Sequence, residues 1–127
     1  TIHVSLARET YHLVDQKKID LMKKTAFLIN TSRGPVVDEK ALCAALRDNR
    51  IAGAALDVFE QEPAPLENPL LRLDNVVLAP HIASASHVTR SKMAEMAAEN
   101  LIALFEGRNP PNLVNPEVLK IKPPTRP

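Results

Sequence analysis

The chain has 127 residues, of which 45% are hydrophobic and 24% charged, and its Lys, Arg, Asp and Glu sum to a formal net charge of +1. That length holds one domain with a core or a piece of a larger one, and the interspersed, balanced charge gives no electrostatic ground for nucleic acid or an anionic membrane as partner. No apolar run approaches the ~18 residues of a membrane span and no signal peptide is visible, while a single cysteine, Cys43, excludes an internal disulfide framework and suits the reducing cytoplasm.

Thr1 to Ser5 reads as a strand, with β-branched Ile2 and Val4 at alternate positions. A domain seldom opens inside a strand, so the chain is expected to be a piece of a longer protein. Asp15 is placed to cap a helix running to Lys24, with Ile19 and Met22 three apart. Thr25 to Asn30 has the length and apolar character of a strand, and Gly34-Pro35 punctuates the loop that follows. Asp38 begins a second helix, whose Leu42, Ala45 and Leu46 share one face. Arg47 and Arg50 are expected near its C-terminal end, where the helix dipole favours cations. Within that helix Cys43 reads as a small core hydrophobe rather than a reactive thiol.

Ile51 to Asp57 is a strand small and apolar on both faces, as suits a parallel sheet covered by helices. Residues 58–74 form a long connection containing Pro63, Pro65 and Pro69, and loops of that length are often functional. Asn75 to Ala79 is a third buried run, stopped by Pro80. Ser86 caps a helix through Phe105, closed by Gly107, with Met93, Met96, Ala97, Leu101 and Leu104 as its core-facing stripe. The tail is proline-rich, at Pro110, Pro111, Pro116, Pro123, Pro124 and Pro127. Within it, residues 112–115 are candidates to dock on a neighbouring domain, and Lys120 onward is expected to be mobile. Strands alternating with helices predict an α/β fold with a parallel sheet.

In open α/β sheets ligands bind beyond the carboxyl ends of the strands. The first long strand leads to Thr31-Ser32-Arg33-Gly34, the second to Asp57 and then Glu60-Gln61-Glu62, the third to Pro80-His81. A cation, carboxylates and an imidazole therefore collect along one sheet edge. Arginine offers a planar fork suited to a carboxylate or a polarised carbonyl. A histidine's ordinary pKa of ~6.5 lets it exchange a proton near neutrality, and a carboxylate beside it favours the charged imidazole. Together these fit an acid that protonates a carbonyl oxygen. Taken singly, each has a plainer reading: Arg33 and Glu62 as solvated surface charges, His81 as a loop-bracing residue, Asp57 as a turn cap. Joint placement is what favours chemistry. His3, His12 and His87 do not share that logic. No spacing reads as a metal site, no Gly-x-Ser-x-Gly elbow occurs, and Ser32 has no paired base in the local sequence.

At these residues the chain resembles the D-isomer-specific 2-hydroxyacid dehydrogenase family. The match is carried by His3-Val4-Ser5-Leu6 with Glu9-Thr10, by residues 29–34 with Val37-Asp38-Glu39, by the run 53–63 ending Glu60-Gln61-Glu62-Pro63, and by residues 80–84. It extends from residue 1 to about residue 117. The resemblance implies that Arg33 orients a substrate carboxylate and carbonyl, that His81 is the acid/base and that Glu62 is its partner. It also implies that Asp57 meets the nicotinamide end of NAD or NADP, and that Val4, Thr31, Ser32, Arg33, His81, Ala83 and Ser84 line the cofactor cleft. The implied substrate is a small 2-keto or 2-hydroxy acid, and the implied assembly of the intact protein a homodimer.

The implied fold is the second half of a Rossmann-like doubly wound sheet. Residues 1–85 would close the dinucleotide-binding domain, and 86–127 would be a crossing helix and tail belonging to the substrate domain. Ser5 stands where the family usually has proline, which frees the loop by ~0.4–1 kcal/mol of unfolded-state entropy, and Ala83 stands for a common glycine. Residues 112–119 are similar to the glyoxylate/hydroxypyruvate reductase branch. Gly34, Gly53 and Gly107 are the only glycines, so no Gly-x-Gly-x-x-Gly exists here. The phosphate loop, and the residue choosing NAD over NADP, would precede Thr1, and the sheet would keep an unpaired edge. Two alternatives stand beside the enzyme: a nicotinamide-nucleotide sensor of the co-repressor kind on the same fold, and a fragment inactive alone.

Overall fold

The computed structural model describes residues 1–121; the prolines at 123, 124 and 127 lie outside the described residues. Contacts divide the chain into two compact units, one of residues 1–83 and one beginning at Ser84.

The first unit is built on three parallel strands, β1 (Phe27–Asn30), β2 (Gly53–Leu56) and β3 (Val76–Leu78), in spatial order β1-β2-β3. Asn30 pairs with Leu56 and Leu56 with Leu78, so all three strands end level. Two helices accompany them, α1 (Gln16–Asp20) and α2 (Glu39–Arg47). Both start where the sequence predicts. Asp15 accepts the Lys18 N–H at 2.9 Å and Asp38 accepts the Ala41 N–H at 2.9 Å, satisfying donors that a helix start otherwise leaves orphaned. The core lies between α2 and one sheet face: Leu42, Ala45 and Leu46 meet Leu28, Ala54 and Leu56, with Ile19 and Ile51 closing the sides.

Several expectations change. Thr1 to Ser5 is not a full strand: Ile2 alone bridges Asn30, and its N–H reaches Ile29 O at 3.0 Å. The loop after Ser5 is instead held by Thr10, whose Oγ1 donates to Ser5 O at 2.7 Å. α1 stops at Asp20 rather than Lys24, and Arg50 lies beyond the end of α2 with its guanidinium paired to Asp20. Residues 58–74 contain a 3-10 turn, Pro69–Arg72, capped by Asn68 on the Leu70 N–H. Cover on both sheet faces holds for β2 but not its neighbours. Phe27, Ile29 and Val77 stay exposed, because the β2-to-β3 connection supplies only that short turn and no second helical layer.

The second unit holds α3 (His87–Phe105) and the short α4 (Val118–Ile121). Ser86 caps α3 on the Thr89 N–H at 3.1 Å, and Gly107, at φ 71°, ends it as predicted. The expected core stripe is not buried. Met93, Leu101 and Leu104 are exposed and Ala103 is the buried residue of α3, since a four-residue α4 covers too little of a helix this long. Asn112 folds back on α3 through Asn100 Oδ1 at 2.9 Å, while Val114 stays in solvent. Lys120 sits in α4, which ends at Ile121, and the rest of the stretch expected to be mobile lies outside the described residues.

The core assignment is testable by mutation. Leu42→Ala removes a side chain 1% exposed and should cost about 2–5 kcal/mol in urea unfolding. Leu21→Ala, at 86% exposed, should stay within about 0.5 kcal/mol.

Candidate active site

Two buried polar side chains, Asn30 ending β1 and Asp57 just after β2, hold the turns at the strand ends. At the end of β1, Asn30 is 1% exposed. Its Oδ1 accepts from Ser32 N at 3.0 Å and Ser32 Oγ at 2.9 Å, and its Nδ2 donates to Arg33 O at 3.0 Å. Burying an amide without partners is costly, so this set of bonds forces the turn at residues 31–33. Thr31, Ser32 and Arg33 line a hollow of about 410 Å³ together with His3 and Val4. Asn30 and His3 were missed from sequence, although an Asn closing an apolar strand is itself a visible signal.

At the end of β2, Asp57 is buried. Its Oδ1 accepts the Ile82 N–H at 2.7 Å and its Oδ2 the Ala83 N–H at 2.8 Å, while its carbonyl accepts the His81 N–H, also at 2.8 Å. Three bonds thus bind one residue to the turn after β3. They hold His81 at φ 54°, in the left-handed region that non-glycine residues seldom occupy. Thr31, Asp57 and Ala83 also share a shallow hollow of about 250 Å³ on the open sheet face.

His81 and Glu62 form a pair. His81 Nδ1 lies 2.8 Å from Glu62 Oε2, and Glu62 Oε1 accepts the Phe59 N–H at 3.0 Å. With Glu62 ionised, Nδ1 is the donor and Nε2 remains available for another partner. The Glu62 carboxyl is held below its ordinary value of 4.5, foremost by the hydrogen bond to His81. Partial burial opposes this; the Phe59 N–H and the positive charges of His81 and Arg33 add to it. Arg33 therefore acts electrostatically on the same carboxylate, although it lines the neighbouring hollow. The pair itself borders an apolar hollow of about 390 Å³ with Phe59, Leu71 and Leu78 in its wall.

The loops of Arg33 and Glu62 also touch directly. A Cβ on Gly34 would fall 1.9 Å from the carbonyl carbon of Phe59, so only glycine lets the two main chains meet there. Glu60 turns away from His81, toward α2 and His12. Ser84 begins the second unit. A grouping that spacing did not reveal is His12, Asp38 and Glu60, one ligand-type atom from each lying within 4.8 Å of the others.

The profile of the D-isomer specific 2-hydroxyacid dehydrogenase NAD-binding domain matches residues 1–83. The chain belongs to the D-isomer specific 2-hydroxyacid dehydrogenase family. A glyoxylate reductase of Korarchaeum cryptofilum is 64% identical over 124 residues, covering 98% of this chain and 37% of the relative. One of Pyrococcus horikoshii is 59% identical over 121 residues, covering 95% and 36%. A crystal structure of a Thermus thermophilus protein superposes with TM-score 0.84 at 49% identity, covering 88% of this chain and 36% of that one. The NADPH-dependent glyoxylate/hydroxypyruvate reductase of Sinorhizobium meliloti, solved with NADP and malonate, gives 0.72 at 45% identity, covering 78% and 31%. The chain thus spans little more than a third of the curated relatives it matches. Its sheet is the corresponding part of this dehydrogenase family's Rossmann-like domain.

The lowered Glu62 carboxyl sets the sign of a pH effect. A carboxylate depressed by folding adds stability above its ordinary value, and that stability is lost as pH falls through the lowered one. The parent should therefore resist urea better than Glu62→Gln at pH 7. The gap should close well below pH 4.5; an unchanged gap in strong acid would mean the ion pair contributes nothing.

Proposed function

We propose that this chain is the carboxyl-terminal part of an NAD(P)-dependent reductase of small 2-keto acids, of the glyoxylate and hydroxypyruvate kind. The observation that carries it is the His81–Glu62 pair: Nδ1 is occupied at 2.8 Å, so the ring has one nitrogen left for a substrate. The Arg33 guanidinium, whose Nη1 donates to Ser32 O at 2.7 Å, is among the positive charges that lower the Glu62 carboxyl. Both relatives and a solved neighbour bear glyoxylate reductase names, which supports the substrate class.

The residues fit the nicotinamide end of the cofactor. Val4, Thr31, Ser32 and Arg33 line one hollow, and Ala83 with Asp57 borders the next. The grip on the pyrophosphate is not in this chain, which lacks the glycine fingerprint. Asp57, with both carboxylate oxygens on main-chain N–H groups, acts at this end chiefly by holding the His81–Ala83 turn. By the family resemblance Ser84 is read as a further residue toward the cofactor.

The nicotinamide, when bound, supplies a hydride to the carbonyl carbon. Arg33 holds the substrate carboxylate with its planar fork and polarises the carbonyl. As the C=O electron pair moves onto oxygen, His81 Nε2 gives that oxygen its proton, and Glu62 stabilises the imidazolium before transfer. In the oxidative direction the same nitrogen removes the hydroxyl proton. A sensor of nicotinamide nucleotides would not need this set, so its joint presence favours catalysis. The contact boundary at residues 83 and 84 supports assigning 86–127 to a substrate domain. Cys43, buried and unpaired, fits the cytoplasm. The intact protein is read as a homodimer, from the family resemblance.

In the full-length protein, His81→Gln should lower kcat for keto-acid reduction roughly 10²–10⁴-fold, with the cofactor's Kd little changed. Arg33→Ala should weaken keto-acid binding and slow the reaction together. Glu62→Gln should move the falling limb of the pH–rate profile to lower pH, by removing the charge that favours a protonated ring. A pH–rate series on the three variants measures all of this. Near-parental rates for His81→Gln across the series would end the assignment.

A further inference from the structure

Sequence spacing gave His12 no role, yet it ties together the two loops that matter. It stands at φ 48°, its ring stacked on Tyr11 with centroids 4.1 Å apart. Its main-chain N–H donates to Pro35 O at 2.8 Å, in the loop that follows Arg33. Its imidazole Nε2 lies 2.8 Å from Glu60 Oε1, in the segment that carries Glu62. A non-glycine residue in the left-handed region persists only where its surroundings over-determine it, and these contacts do so from both ends.

The Glu60 side of the link is itself braced. Glu60 Oε1 also accepts the Glu39 N–H at 3.0 Å, and the Glu60 N–H returns to Glu39 Oε2 at 2.9 Å. Glu60 thereby satisfies a first-turn donor of α2, which such a helix start cannot satisfy internally. The adjacent Phe59 N–H goes to Glu62 Oε1, so the main chain at 59–60 sets how the Glu62 carboxylate faces His81. Gly34 presses against the same peptide. Asp38, on the far side of the ring at 4.0 Å, is engaged in capping α2. Both carboxylates are hydrogen-bonded to the start of α2, so the cluster braces that helix start against the Glu62 segment.

We propose that His12 is a positioning residue for keto-acid reduction: by spanning Pro35 and Glu60 it pins the Glu62 segment against the Arg33 loop and keeps Glu62 on His81. The proposal rests on reading His81 and Glu62 as the proton-handling pair.

The test is a double-mutant cycle on kcat in the full-length protein, with His12→Leu, Glu62→Gln, their combination, His12→Gln, and His81→Gln as reference. His12→Leu should lower kcat by about 10–100-fold, the scale of loss when a remote change misplaces a reacting group, with the cofactor's KM unchanged. The combined variant should be no slower than Glu62→Gln, because His12 acts through Glu62. His12→Gln, whose amide can still donate to Glu60, should recover most of the rate. Multiplying losses in the combined variant, a parental rate for His12→Leu, or no recovery with Gln would each overturn the proposal. If His12→Leu does not fold, Glu60→Ala cuts the same bond from its other end and enters the same cycle. A parental rate for His81→Gln would instead count against the catalytic reading itself.

Discussion

The parallel register of three strands is the constraint on which the rest depends. Asn30, Leu56 and Leu78 stand level, and the ladder continues past them through Asp57 N–H to Asn30 O at 3.0 Å and Ala79 N–H to Leu56 O at 2.9 Å. Residues 31–33, 57 and 79–81 therefore leave the sheet at one edge. Asn30 and Asp57 are buried there, and a buried amide or carboxylate must find partners. The nearest donors are the main-chain N–H groups of the adjacent turns. Satisfying them bends residues 31–33 around Asn30 and holds 81–83 on Asp57. The left-handed conformation of His81 follows from that demand.

Glu62 reaches the site by another route. It lies on the long connection after β2, whose short 3-10 turn comes only at Pro69–Arg72, so its position depends on local contacts. Gly34 against Phe59, Glu39 against Glu60, and His12 across to Glu60 supply them. Glu62 and His81 are both partly exposed, at 36% and 47% of their side chains. The pair alone is therefore a weak contributor to stability, and its value lies in holding one ring nitrogen while leaving the other free.

Much of this is legible in the sequence. Asp15, Asp38, Ser86 and Gly107 announce helix ends because capping chemistry is local, confined to three or four residues. The strands were legible as apolar runs, and the residues just after them as the edge where ligands gather. What stayed hidden depends on partners distant in the chain. His12 and Glu60 are 48 residues apart, and no periodicity links them. The close approach of Gly34 to Phe59 is equally invisible. The stripe on α3 misled because periodicity shows which side of a helix is apolar, not whether anything in its own unit covers it. The opening residues misled similarly, since alternation favours extended chain but a strand also needs a ladder, and here a single bridge is made.

The central claim is a geometry: a keto acid held by Arg33 with its carbonyl oxygen presented to His81 Nε2. A crystal structure of the full-length protein with its nicotinamide cofactor and oxamate, a non-reducible keto-acid mimic, tests it directly. The account predicts the oxamate carboxylate on the Arg33 guanidinium and its keto-like oxygen within about 3.2 Å of His81 Nε2, with Nδ1 still on Glu62. Oxamate bound away from Arg33, or with its oxygen facing another donor while His81 turns elsewhere, would contradict it.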